Sequence, residues 1–336
     1  KFEEAFNNMG GLALSMIGII GLAPILSGIL TPILQFLSKI SGADPSIFMS
    51  SFLAVDLGGY VTSAELAHSQ QIAEFSGLLL ASMMGVTISF TIPVAINMIS
   101  KDDFHFFAIG ILSGIVTIPV GMIAGGLTMG IGIKEILINL IPVIILSIII
   151  IIGLLKYQEI ILRIFSGLGR CIAILCILGL IISILDFVLG IKLLPNMIPF
   201  EDSIIVVGKT VVMISGAYPL FHFISKKLDK NLNKIAGKLG INEYSFLGII
   251  TSLANNVATL RIYDKMDARG KVLSAAFIVS SAFTFGGQLG YISSISKDII
   301  PSYLLAKLSA AISSLFLASI LLKVMGEKKP ELKSQN

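Results

Sequence analysis

Charge is scarce in this chain. Asp, Glu, Lys and Arg make up 13% of its 336 residues, where a soluble globular domain carries roughly 25%. That deficit excludes an ordinary cytosolic enzyme and a disordered linker. Nor does the formal charge of +4 point to nucleic acid, because the basic residues sit in short loops between long apolar runs. Cysteine is nearly missing: Cys171 and Cys176 lie inside one apolar run, so no disulfide framework is implied. The three histidines, His68, His105 and His222, lie near different loops, so no metal-ligand spacing exists. The glycine pattern Gly121, Gly125, Gly126, Gly130 has no strand before it and no Gly-Lys-Ser/Thr at its end, so it is read as close helix packing rather than a nucleotide loop. No cofactor and no metal are expected.

What the chain has in quantity is hydrophobic residue, 55% of the total, with a mean hydropathy of +0.95. A run of about 20 apolar residues crosses a hydrocarbon core of roughly 30 Å. Eight candidate spans follow, at about 10–37, 75–99, 104–130, 137–155, 171–190, 204–225, 270–292 and 300–323. The expectation is an all-α polytopic membrane protein. The chain opens Lys1-Phe2-Glu3-Glu4, without methionine and with an acidic flank. That is no signal peptide, and the expectation is that the natural chain starts further upstream.

Two apolar segments, about 46–61 and 244–260, are too short to span. Basic residues gather at Lys156, Arg163 and Arg170, at Lys226 to Lys238, at Arg261 to Lys271 and in the C-terminal tail. They all reach one side, the cytoplasm, if 244–260 dips into the membrane and returns. The same reckoning makes 46–61 a hairpin entered from outside and places both termini in the cytoplasm.

An internal repeat supports this. Ser51-Phe52-Leu53-Ala54-Val55-Asp56 matches Thr251-Ser252-Leu253-Ala254-Asn255-Asn256, and Ser89-Phe90-Thr91 answers Ala282-Phe283-Thr284. The expected organisation is a first repeat over 1–130, connecting spans over 131–195, a second and inverted repeat over 196–325, and a tail over 326–336. The Ile-rich span 137–155 suits a lipid-facing scaffold or a contact between copies of the chain.

Opposed hairpins with irregular backbone at membrane depth are a recurring transporter design. Asp56 stands near the first tip, followed by Gly58-Gly59, which can open the backbone. A carboxylate at mid-membrane costs about 2.5–3.5 kcal/mol on insertion scales. No Lys or Arg of the first repeat is placed to pair with it, so a bound cation is its expected partner. From the other tip, Asn255 and Asn256 offer amides that can hold a hydroxyl. A small amino-alcohol cation fits. Tyr60 offers a cation–π face, Glu65 a vestibule acid, and Tyr218 a hydroxyl beside Pro219. Plainer roles stand beside each of these: turn acceptor for Asp56, turn caps for the asparagines, interface anchor for Tyr60, solvated acid for Glu65, packing for Tyr218.

The chain resembles the ethanolamine permease family of ethanolamine-utilisation operons. The likeness is carried by an ordered series: Gly42-Ala43-Asp44-Pro45-Ser46, Leu53-Ala54-Val55-Asp56-Leu57-Gly58-Gly59, Glu65-Leu66-Ala67, Ser82-Met83-Met84-Gly85, Gly216-Ala217-Tyr218-Pro219, Leu253-Ala254-Asn255-Asn256 and Met266-Asp267-Ala268-Arg269-Gly270-Lys271-Val272. The resemblance implies a bacterial inner-membrane protein that brings in ethanolamine for breakdown by an ammonia-lyase pathway. Some members carry an acid–histidine pair where this chain reads Gly287-Gln288, so a site role for Gln288 is an implied one. The expected function is secondary transport of protonated ethanolamine. Alternatives are a passive channel for a small amine and an intramembrane enzyme acting on a lipid headgroup.

Overall fold

Backbone amides in hydrocarbon must bond within their own segment, and the apolar runs accordingly form helices. The structure, a computed structural model, describes residues 2–7, 9–229, 236–237 and 239–327, and no strand occurs among them. After a short helix α1 (Phe2–Asn7) come α2 (Met9–Ser41), α3 (Pro45–Phe52) and α4 (Tyr60–Leu66). Then follow α5 (Gln70–Met98), α6 (Phe104–Thr128), α7 (Ile133–Lys156), α8 (Gln158–Leu189) and α9 (Phe200–Asp229). The last are α10 (Glu243–Ser252), α11 (Asn256–Arg261), α12 (Ala268–Ser281), α13 (Gly287–Ile295) and α14 (Ile300–Glu327).

Six of these helices are long and apolar enough to cross a membrane, among the described residues. They are α2, α5, α6, α7, α8 and the Ile300–Lys323 part of α14. The expected span 204–225 lies within the continuous helix α9. The expected span 270–292 is not continuous. α12 stops at Ser281, and Ala282–Gly286 is irregular, with Phe283 in the left-handed region at φ 60°. The tail beyond 327 and residues 230–235 lie outside the described residues.

The two short segments fold as pairs of helices lying side by side. In the first pair Ser50 Oγ meets Ser63 Oγ at 2.5 Å across α3 and α4. Asp44 closes its base. The Asp44 carboxylate accepts from Ser46 N–H at the start of α3 and from His68 N–H just past α4. In the second pair Thr259 Oγ1 donates to Gly248 O across α10 and α11. Asp267 closes that base by accepting from Asn242 N–H and from Gly270 N–H.

Small residues bring the long helices close. A Cβ on Gly121 of α6 would stand 2.3 Å from Ala306 O of α14, and one on Gly110 would stand 2.4 Å from the Ala275 Cβ of α12. α6 therefore packs on both α12 and α14. Gly18 and Gly179 do the same for α2 and α8. In α7 a stripe of Ile136, Leu140, Val143, Ser147 and Ile150 is buried, whereas Ile141, Ile144, Ile145, Ile148, Ile149 and Ile152 point outward. That outward face is wholly apolar, as a lipid-facing helix requires. Cys171 and Cys176 are both free thiols.

Candidate functional site

The tips of the two helix pairs line one cavity. At the first tip Leu53 and Ala54 are extended, and neighbouring groups satisfy their backbone. Ala54 N–H donates to Ser89 Oγ, and Ala54 O accepts from Leu57 N–H and Gly59 N–H. Gly58 takes φ 88°, where a side chain would strain the backbone and its Cβ would press on Ile19 at 2.9 Å. At the second tip Ser252 O and Leu253 O accept from Phe283 N–H and Phe285 N–H. The break after α12 is thus laced to the tip of the second pair.

Between the tips lies a cavity of about 410 Å³, within the ordinary range of about 300–1,000 Å³ for small-molecule sites. Its wall combines Asp56, Asn255 and Gln288 with the apolar Leu12, Val86, Phe90, Ile214 and Phe283. Asp56 is half-buried there. Among the described residues no other side chain hydrogen-bonds its carboxylate, and the ion pairs are Asp44–His68 and Asp103–Lys271, neither involving Asp56. The rings of Phe90 and Phe283 meet edge to face with centroids 5.8 Å apart.

Of the expected site residues, the structure brings Asp56, Asn255 and Gln288 to one wall. The Asn255 side chain also caps α11, its Oδ1 accepting from Val257 N–H. Asn256 turns away from the cavity: it is fully buried and donates through Nδ2 to Thr91 Oγ1 at 2.9 Å. Gly58 and Tyr60 lie behind the wall, with Tyr60 packed against the core. Glu65 is exposed near the end of α4, outside the cavity lining. The Tyr218 side chain lies outside the described residues.

Sequence reasoning missed two things. The aromatic faces at the cavity are Phe90 and Phe283 rather than Tyr60. A cation also lies nearby. Lys307 of α14 is fully buried and donates from Nζ to Ser82 O, Ala282 O and Gln288 Oε1 at 2.9, 2.7 and 2.5 Å. It makes no ion pair with Asp56. The available signal was a single charge in the middle of an otherwise apolar span.

Six membrane-length apolar helices, with α2 and α5 among the walls of a cavity that a carboxylate lines, define a multi-pass helical membrane protein. Residues 1–321 match the family described as "Ethanolamine utilisation protein, EutH", and the chain belongs to that family. It is 38% identical to the probable ethanolamine permease EutH of Listeria monocytogenes, over 94% of this chain and 84% of that protein. It is 36% identical to the probable ethanolamine permease EutH of Escherichia coli K12, over 96% of this chain and 85% of that protein. It is 38% identical to the Bacillus subtilis protein YxeR, over 94% and 85%. No solved structure matches it.

Proposed function

We propose that this protein is a secondary transporter that imports ethanolamine, as the protonated amino alcohol, across the bacterial cytoplasmic membrane. The single observation that carries this reading is the Asp56 carboxylate, unclaimed by any other side chain and lining the same cavity as the amides of Asn255 and Gln288. An ammonium group bonds the carboxylate, with the faces of Phe90 and Phe283 at its flank. The hydroxyl bonds the amides. The names of the Listeria and Escherichia relatives support the choice of substrate.

In this reading both helix pairs are re-entrant, one entered from each side of the membrane, and 1–130 and 196–325 are inverted repeats flanking the connecting spans 131–195. Both termini face the cytoplasm. Each tip comes close to a glycine: Cβ atoms on Gly85 and Gly286 would each stand 2.1 Å from a tip carbonyl, Leu53 O and Ala254 O. The membrane potential alone supplies about 2.3 kcal/mol per charge per 100 mV, enough to accumulate a monovalent cation. The outward apolar face of α7 suits lipid or a second copy of the chain.

The test is uptake of labelled ethanolamine into proteoliposomes holding the purified protein. Saturable uptake with counterflow is expected, and Asp56→Ala abolishes it. Flux that neither saturates nor shows counterflow means a passive channel. Uptake unchanged in Asp56→Ala refutes the role given to that carboxylate.

A further inference from the structure

Lys307 is a charge with no exposure at all, and it belongs to no part of the transport reading so far. Its surroundings define its state. Three oxygens, Ser82 O, Ala282 O and Gln288 Oε1, stand within hydrogen-bond distance of Nζ. An ammonium has three N–H donors, one for each of these acceptors. Because an ammonium only donates, it also decides which way the neighbouring amide turns: Gln288 must present Oε1 to it. The Nε2 group is then directed elsewhere, and in the structure it is buried without a hydrogen-bond partner. Gln288 is 1% exposed and forms part of the cavity wall with Asp56. A buried N–H₂ without an acceptor is unfavourable, and a ligand oxygen that reaches it from the cavity side relieves that.

We propose that Lys307 is a positioning residue: by holding Gln288 Oε1 it leaves the Gln288 Nε2 donor for the hydroxyl oxygen of the substrate. This rests on the reading of ethanolamine as substrate and adds the source of its selectivity. Asp56 attracts any small ammonium, and the amide fixed by Lys307 separates an amino alcohol from a plain amine. The same ammonium ties Ser82 O of α5 to Ala282 O at the break after α12, so the Gln288 amide, at the start of α13, is held just beyond that break.

The test is competition of unlabelled ethylamine, ethanolamine and 1,2-diaminoethane against labelled ethanolamine in counterflow. The wild type is expected to favour ethanolamine over ethylamine by about tenfold, the worth of one hydrogen bond. In Lys307→Met the amide is free to turn, and the preference falls to about twofold or less while ethylamine binds at least as well as before. A purely structural role for Lys307 weakens both amines alike and leaves their ratio intact. Gln288→Glu keeps the size of the side chain and turns the free donor into an acceptor. It is expected to raise the preference for 1,2-diaminoethane over ethanolamine by about tenfold, and it carries the test if the lysine variant does not fold. Ratios unchanged in these variants overturn the inference and leave the substrate reading standing. A wild-type protein that binds no ethanolamine overturns the substrate reading first.

Discussion

The two helix pairs share a frame and differ at their tips. Each is closed at the base by an aspartate: Asp44 on the entering side reaches His68 N–H, and Asp267 on the leaving side receives Asn242 N–H. Each presses a tip carbonyl against a glycine, Leu53 O on Gly85 and Ala254 O on Gly286. The residues at matching positions then part company. Asp56 opens onto the cavity, whereas Asn256 is sealed in the core on Thr91. An amide can be sealed with one hydroxyl for a partner. A carboxyl without a contact cation is sealed only by giving up its charge, and Asp56 is instead left half-buried at the cavity. Both pairs close on an aspartate at the base, and of the two tip residues only Asp56 is an acid.

The largest expected effect attacks that difference. Asp56→Asn gives both tips an amide. A lost charge-assisted contact of about 1.5–3 kcal/mol lowers ethanolamine affinity by about 10–100-fold, with thermal unfolding in detergent nearly unchanged. Counterflow competition and a melting curve on the same preparation check both halves of the statement. The shared frame is tested next. Gly85→Ala and Gly286→Ala each place a Cβ 2.1 Å from a carbonyl oxygen, and overpacking of this kind costs about 1–3 kcal/mol. Both are expected to melt at lower temperature. If only one does, the two tips are not equivalent in build.

Smaller still is Asn256→Leu, which strips Thr91 of its partner and is expected to cost about 1 kcal/mol of stability. Its half-saturation for ethanolamine stays within about twofold, the reverse of the Asp56 pattern. The smallest effect is one of pH. Burial alone would raise the Asp267 carboxyl, but bonds from Asn242 N–H, the Ser245 hydroxyl and Gly270 N–H outweigh it and hold the group below its ordinary value of 3.8. A group depressed in the folded state stabilises that state fully above its unfolded value and loses the contribution as pH falls through the folded one. Melting temperature in detergent is therefore expected to drop more steeply below about pH 4 in the wild type than in Asp267→Asn.

Much of this arrangement was legible in the chain itself. Segments too short to span marked both helix pairs, and the structure has Pro45–Phe52 with Tyr60–Leu66 and Glu243–Ser252 with Asn256–Arg261 at those places. The carboxylate was legible because one acid among apolar residues needs a reason. The break at Ala282–Gly286 was not, because Ala282 and Phe283 are as apolar as the helix before them. What ends that helix is the left-handed turn at Phe283 and the bonds from Phe283 and Phe285 to the distant Ser252 and Leu253. Which asparagine meets the cavity was equally hidden. Asn255 caps α11 through Oδ1, and that register sends Asn256 into the core. Lys307 was visible as a lone charge, but its three partners come from two distant stretches of chain, Ser82 on α5 and Ala282 with Gln288 across the break after α12.

The most direct measurement is the distance between the substrate nitrogen and the Asp56 carboxyl carbon. Rotational-echo solid-state NMR can read it on protein in lipid, with ¹⁵N-ethanolamine and ¹³C-labelled aspartate, taking Asp56→Asn as the blank. Expected is a strong dipolar coupling corresponding to about 3.5 Å, as for an ammonium hydrogen-bonded to a carboxylate, and its loss in the blank. Saturating ethanolamine with no coupling that depends on Asp56 would contradict the placement of the cation at this tip.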